Sequence, residues 1–151
     1  MARKPSPRST LGFLMHSNAR LMRRCFVERL REAGLPLNRS QCSVLLHVAH
    51  EEGIGQAALA AQLDIEPIAL VRLLDSLQEN ALIERRPHPT DRRAHMVWLL
   101  PDAAPVLRRI QAIAAAVQRE ATAGLSVEQV QDLTSTLLAI HENLAPVAAL
   151  S

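Results

Sequence analysis

Between residues 55 and 80 the chain carries two short apolar-periodic segments with almost nothing between them, and that spacing leaves few folds open. Gly55-Gln56 opens the first, which runs through Ala57, Leu59 and Ala60 to Leu63. Asp64-Ile65-Glu66 is the connection, and Pro67 starts the second, at the position where a helix tolerates a missing N–H. The second segment runs to about Asn80, with Leu70, Val71, Leu74 and Leu77 spaced to face a core. Two short helices joined by so tight a turn form a helix-turn-helix.

After Asn80 the apolar period changes. Leu82-Ile83-Glu84-Arg85-Arg86 reads as a short strand, and Pro87-His88-Pro89-Thr90-Asp91-Arg92 as a turn, because prolines cannot continue a ladder. Ala94 to Leu100 alternates as a return strand (His95, Val97 and Leu99 against Met96, Trp98 and Leu100). A hairpin directly after a helix-turn-helix is a wing. Upstream, Leu11 to Ala33 reads as a long helix with Leu14, Ala19, Leu21, Met22, Val27 and Leu30 on one face and arginines on the other. Gly34 and Pro36 end it, and Asn38 or Ser40 caps a second helix carrying Val44, Leu45, Leu46 and Val48, which stops at Glu52-Gly53.

Downstream, Asp102 or Pro105 begins a helix through Ala121, with Val106, Leu107, Ile110, Ile113 and Val117 on one face, and Gly124 breaks it. Ser126 followed by Glu128 and Gln129 opens a last helix to about Asn143, with Val130, Leu133, Leu137, Leu138, Ile140 and Leu144 as its apolar set. The expected fold is mainly α with a small β-hairpin wing, a winged helix-turn-helix. The terminal helices hold more apolar surface than the middle requires. That surplus is what a helical dimer interface looks like, or else these helices pack on their own core.

The chain has 151 residues, enough for one domain with a real core. Residues 1–10 read as a basic tail (Arg3, Lys4, Arg8), about 38–100 as a DNA-binding lobe, and about 11–33 and 102–144 as dimerisation helices. No window approaches the roughly 18 consecutive apolar residues that suggest a membrane span. The N-terminus lacks the apolar run of a signal peptide, so a cytoplasmic protein with no membrane partner is expected. A net charge of +2 says little, but four arginines (Arg85, Arg86, Arg92, Arg93) gather between Glu84 and Arg93 against two acids.

Cys25 and Cys42 have no CxxC spacing and read as buried small apolar residues, with redox sensing as the alternative. His47 and His50, three apart on one helix, could chelate a metal, but no evident set completes the shell. The chain shows no Gly-rich phosphate loop, nucleophile elbow, H-E-x-x-H or paired acids in an apolar setting. No enzyme, no cofactor and no metal are therefore expected.

The stretch from Asp64 to Ala94, with its "IE…LVR.LD.L…LI.R" helix and "DRRA" wing, resembles the signature of MarR-type regulators, in particular the SlyA branch. The order of helices fits that family from Leu11 to Leu144. The resemblance implies a homodimer joined by its N- and C-terminal helices, working on the bacterial nucleoid. Such dimers bind palindromic double-stranded DNA operators, most often as repressors, and are released by small aromatic or phenolic acids or their conjugates. Activation or anti-silencing would use the same contacts.

In a helix-turn-helix the N-terminal half of the second helix faces base edges. Here that half is Pro67, Ile68, Ala69, Leu70, Val71 and Arg72. Arg72 is its only long donor, suited to guanine O6 and N7, or else it pairs with Asp75 or touches a phosphate. Ala69 departs from the hydroxyl residue usual in the family; it can touch a thymine methyl but cannot hydrogen-bond, leaving more to DNA shape.

The resemblance puts Arg93 at the wing tip, entering the minor groove, and gives Asp91 the task of orienting the wing arginines. Arg85, Arg86 and Arg92 would serve phosphates or brace the hairpin, and His88 stands where an acid is common. Gln56, Ala57 and Ser40, near helix starts, could donate to phosphates. Arg20 and Arg23 match positions that resemble acid-binding ones in the SlyA branch, and His16 and His47 could add hydrogen bonds to an effector. With a single Trp98 and no tyrosine, a carboxylate or acyl conjugate suits such a pocket better than a ligand held by aromatic stacking.

Overall fold

Local chemistry sets the helix boundaries in the computed structural model, which describes residues 9–148. Helix α1 (Leu11–Glu32) starts after Thr10, whose side chain accepts from the Phe13 N–H. Helix α2 (Arg39–His50) is capped by Asn38: its Oδ1 accepts from the Gln41 N–H at 2.9 Å, and Gln41 Oε1 accepts from the Asn38 N–H at 2.8 Å. A two-residue strand β1 (Ile54–Gly55) leads into α3 (Gln56–Leu63). Asp64 turns left-handed at φ 51° to end α3, and Pro67 then occupies the first turn of α4 (Pro67–Glu79). The hairpin is β2 (Ile83–Pro87) and β3 (His95–Leu99), followed by α5 (Ala103–Ala121) and α6 (Val127–Ala148).

A second capping box opens α6, with Ser126 Oγ accepting from the Gln129 N–H at 3.2 Å and Gln129 Oε1 accepting from the Ser126 N–H at 2.8 Å. The apolar pattern predicts an end to this helix near Asn143, whereas it continues through Pro146 to Ala148. Pro146 removes one N–H bond and crowds the carbonyl four residues back, and the helix ends within two residues of it. Of the expected basic tail Met1–Thr10, residues 1–8 lie outside the described residues.

The three strands form one antiparallel sheet in the order β1-β3-β2. Ile54 pairs with Val97, and β2 pairs with β3 from Ile83↔Leu99 to Pro87↔His95. Residues opposite each other share a face. Ile83 and Val97 therefore point into the core, while Glu84, Arg86, Met96 and Trp98 share the other face.

Two compact units emerge, one ending at Val117 and one beginning at Gln118. In the first, Val44, Leu45 and Val48 of α2, Leu59 of α3, Leu70, Leu74 and Leu77 of α4, and Ile83 and Val97 of the hairpin are sealed from solvent. Leu30, Leu35, Ala103, Leu107 and Ile110 join the same core from outside the 38–100 span. Each fully buried Leu or Ile contributes about 1.5–3 kcal/mol.

Val71 corrects the sequence reading. Leu70, Leu74 and Leu77 complete the inward stripe, and Val71, about a hundred degrees round from Leu70, is exposed. On α1 only Leu30 is buried; Leu14, Leu21, Met22 and Val27 lie open. In the second unit, Leu133, Leu137, Leu138 and Leu144 of α6 are exposed as well.

Candidate nucleic-acid interface

Because Leu70, Leu74 and Leu77 turn inward, α4 presents Pro67, Ile68, Ala69, Val71 and Arg72 outward from its first half. Ile68 is 67% exposed. Asp75, the alternative partner for Arg72, is taken by Arg85 of β2, whose Nη2 donates to Asp75 Oδ1 at 2.6 Å. Arg85 Nε donates to Gln78 Oε1 at 2.9 Å, so one guanidinium grips two side chains of α4. Among the described residues Arg72 makes no ion pair.

The four wing arginines divide into two kinds. Arg85 and Arg86 are engaged within the hairpin and α4. Arg86 pairs with Glu84 and lies over the Trp98 ring at 4.8 Å from its centroid. Beneath that ring is Gly53 at φ +81°, where an added Cβ would stand 2.7 Å from Trp98 Cζ2; only glycine allows the indole to approach so closely. Arg92 and Arg93 belong to the turn and are exposed.

Within that turn, Asp91 Oδ1 accepts from the Arg93 N–H at 2.9 Å, and Arg93 Nε lies 3.8 Å from the same oxygen. The Arg93 side chain is 95% exposed. His88 Nδ1 accepts from the N–H groups of Thr90 and Asp91, both at 3.3 Å, which folds the turn around the imidazole. The arrangement is a hairpin anchored at its base to α4, with two exposed guanidinium groups carried at its far end.

Gln56 is the first residue of α3, and Ser40, exposed, is in the first turn of α2. Ala57 is exposed beside Gln56. Sequence reasoning missed the part played by Gln41: 8% exposed, its Nε2 donates to Ser76 Oγ at 2.8 Å and ties the start of α2 to α4. The Asn38–Gln41 capping spacing announces half of that role; nothing local announces Ser76.

His16, Arg20 and Arg23 lie exposed along α1. His47 is half-buried on α2, with its Nδ1–H donating to the Ser43 carbonyl at 2.8 Å. An open cleft of about 840 Å³ lies elsewhere on the first unit, lined by Val27, Leu30, Arg31, Leu35, Pro36 and the start of α2. Arg31 at its rim pairs with Glu28 at 2.5 Å, which holds the exposed Glu28 carboxyl below its ordinary range. Cys25 is exposed and Cys42 buried. Among the described residues, no helix is long and apolar enough to cross a membrane.

Residues 33–94 match the MarR family. Over 86% of its length the chain is similar to 92% of a mutant MarR from E. coli complexed with operator DNA, with 27% identity and a TM-score of 0.75. Wild-type MarR from E. coli in its apo form is 26% identical, with a TM-score of 0.77 over 91% of this chain and 98% of that one. A MarR transcriptional regulator from Methanosarcina mazei Go1 shares the fold at 19% identity, with a TM-score of 0.83 over 91% and 97% of the two chains.

Proposed function

We propose that this chain, which carries a MarR-family segment at 33–94 within the winged helix-turn-helix fold of MarR regulators, is a homodimeric repressor of transcription that binds a palindromic operator. The observation that carries this reading is the wing: two open guanidinium groups, Arg92 and Arg93, on a hairpin whose base is clamped to α4 by Arg85. A narrow A·T minor groove concentrates negative potential and attracts an inserted arginine. The neighbouring α4 offers its first half to the major groove. Ser40 and Gln56 add donors for phosphates, Arg72 adds one for a phosphate or a base, and Asp91 steadies the Arg93 backbone. The Asp64–Arg86 pattern and the Asp91-Arg92-Arg93-Ala94 turn support reading it as a regulator of the SlyA branch.

Release by a small aromatic or phenolic acid, or its conjugate, completes the proposal. Its support is the pair of exposed cations Arg20 and Arg23 on α1, with His16 on the same helix and His47 on α2.

One titration series tests both halves. Operator-bearing duplexes, selected by the protein from a randomised library, are titrated at fixed salt with wild type and with Arg93→Ala. Arg93→Ala is expected to lose at least about tenfold in affinity, in line with roughly 1.4 kcal/mol or more from the inserted cation. Unchanged binding would remove the wing from the interface. In the second arm, aromatic carboxylates release the wild type, and Arg20→Ala and Arg23→Ala blunt that release. An equal response in all three proteins would sink the effector site.

A further inference from the structure

We infer that α4 reads its operator chiefly through thymine methyl groups, with Ile68 and Val71 as the reading side chains and Arg72 as the sole hydrogen-bonding reader. This rests on the operator-binding function proposed above and specifies how the same surface chooses sequence.

From Pro67 to Arg72 the outward face of α4 carries no hydroxyl, amide or carboxylate. The next polar side chains along the helix are already engaged: Asp75 and Gln78 accept from Arg85, and Ser76 accepts from Gln41. The pairings that identify adenine need Asn or Gln, and those that identify cytosine need Asp or Glu. Neither is present between Pro67 and Arg72. Two major-groove features remain readable, the guanine O6/N7 edge for Arg72 and the thymine C5 methyl for an apolar side chain.

Ile68 and Val71 are one helical turn apart, so they stand side by side with Arg72 next to them. Ile68 is 67% exposed and Val71 36%. Single exposed apolar residues need no explanation, but two adjacent β-branched ones on the outward face of such a helix do. Both are β-branched, and in a helix that leaves essentially one χ1 rotamer. Their methyls are therefore held in fixed directions, and little rotamer freedom is lost when they dock. The occupant is DNA because the hairpin that carries Arg92 and Arg93 is clamped to this same helix at Asp75 and Gln78, and those arginines supply the charge a polyanion requires.

Deoxyuridine separates this contact from all others, since it deletes the C5 methyl in the major groove and leaves pairing and the minor groove intact. Duplexes selected from a randomised library by the full-length chain are rebuilt with each thymine replaced singly by deoxyuridine. Affinity is expected to drop about three- to fivefold at one or two thymines per half-site, the value of one buried methyl, and to hold at the rest. Ile68→Ser brings the thymine-to-uracil ratio at one of these positions to near one, and Val71→Ser does so at another. Thermal melting checks that both variants, altered only at exposed positions, remain folded.

A ratio of one at every thymine, or selected half-sites that lack thymine, overturns the inference while leaving operator binding in place. A ratio of one combined with a change of assembly mass in Ile68→Ser gives this face to a second copy of the chain, and equally overturns it. Failure to enrich any duplex would remove the operator-binding function itself, and this inference with it.

Discussion

Cys42 has 1% of its surface exposed, and burial pushes its thiol from the ordinary 9.0 up to about 11. Low dielectric disfavours the thiolate, which is the form that attacks and oxidises. Cys25, by contrast, is exposed. Cys42 is therefore expected to stay unreactive toward an aromatic disulfide reagent at pH 8 in the native protein, and to react only after denaturant is added. Two rapid equivalents in the native protein would contradict the burial. The same group makes stability depend on pH. Because its value is raised by folding, the unfolded chain ionises first. The contribution of Cys42 is intact below 9.0 and is lost as pH climbs toward about 11. At this scale the sequence was a good guide to Cys42 as a small apolar residue, and a poor one to Cys25, whose exposure no local pattern betrays.

The helix α4 and the hairpin behave as one element because Arg85 reaches back to Asp75 and Gln78. Asp75→Asn weakens that grip. Both partners are partly exposed, so the loss of stability should stay below about 1 kcal/mol. Operator affinity should fall several-fold more than that modest change suggests, because the wing is no longer aimed. A duplex titration run alongside thermal melting distinguishes the two. Affinity equal to wild type would mean the hairpin needs no brace.

Helices and hairpin were legible in advance wherever a chemical stop or start marked them. Gly34, Gly53, Pro67, the prolines of 87–89, Gly124 and the Ser126–Gln129 pair all fall at boundaries. What stayed hidden was tertiary. The strand β1 is two residues long, too short for any alternation, and exists through its pairing with Val97 and Met96. From sequence Asp75 is offered as a partner for Arg72, and only the fold of the hairpin gives it to Arg85. Val71 obeys the same apolar spacing as its buried neighbours, and the core simply fills without it.

For the whole molecule, the question is what covers the apolar side chains left open on α1 and α6. Leu14 and Leu21 on one helix, and Leu133, Leu137, Leu138 and Leu144 on the other, are each 39–59% exposed. Faces of this kind on soluble chains mark association surfaces. The homodimer proposed above would bury them, and two recognition helices one DNA turn apart would then match a palindrome. Leu137→Glu costs little in a lone chain, where the position is open, but puts an unpaired carboxylate inside a dimer. Sedimentation should show the wild type at twice the chain mass and the variant at the single mass. A wild type that sediments as a single chain would refute the dimer.

The packing at the root of the wing has a practical outcome at this scale. Trp98 is the only tryptophan in the chain and there is no tyrosine, and it is wedged between Gly53 and the Arg86 guanidinium. The ultraviolet emission of the unlabelled protein thus arises from a single indole at the root of the proposed DNA-binding wing. The molecule carries its own optical probe, seated where the wing joins the body of the fold.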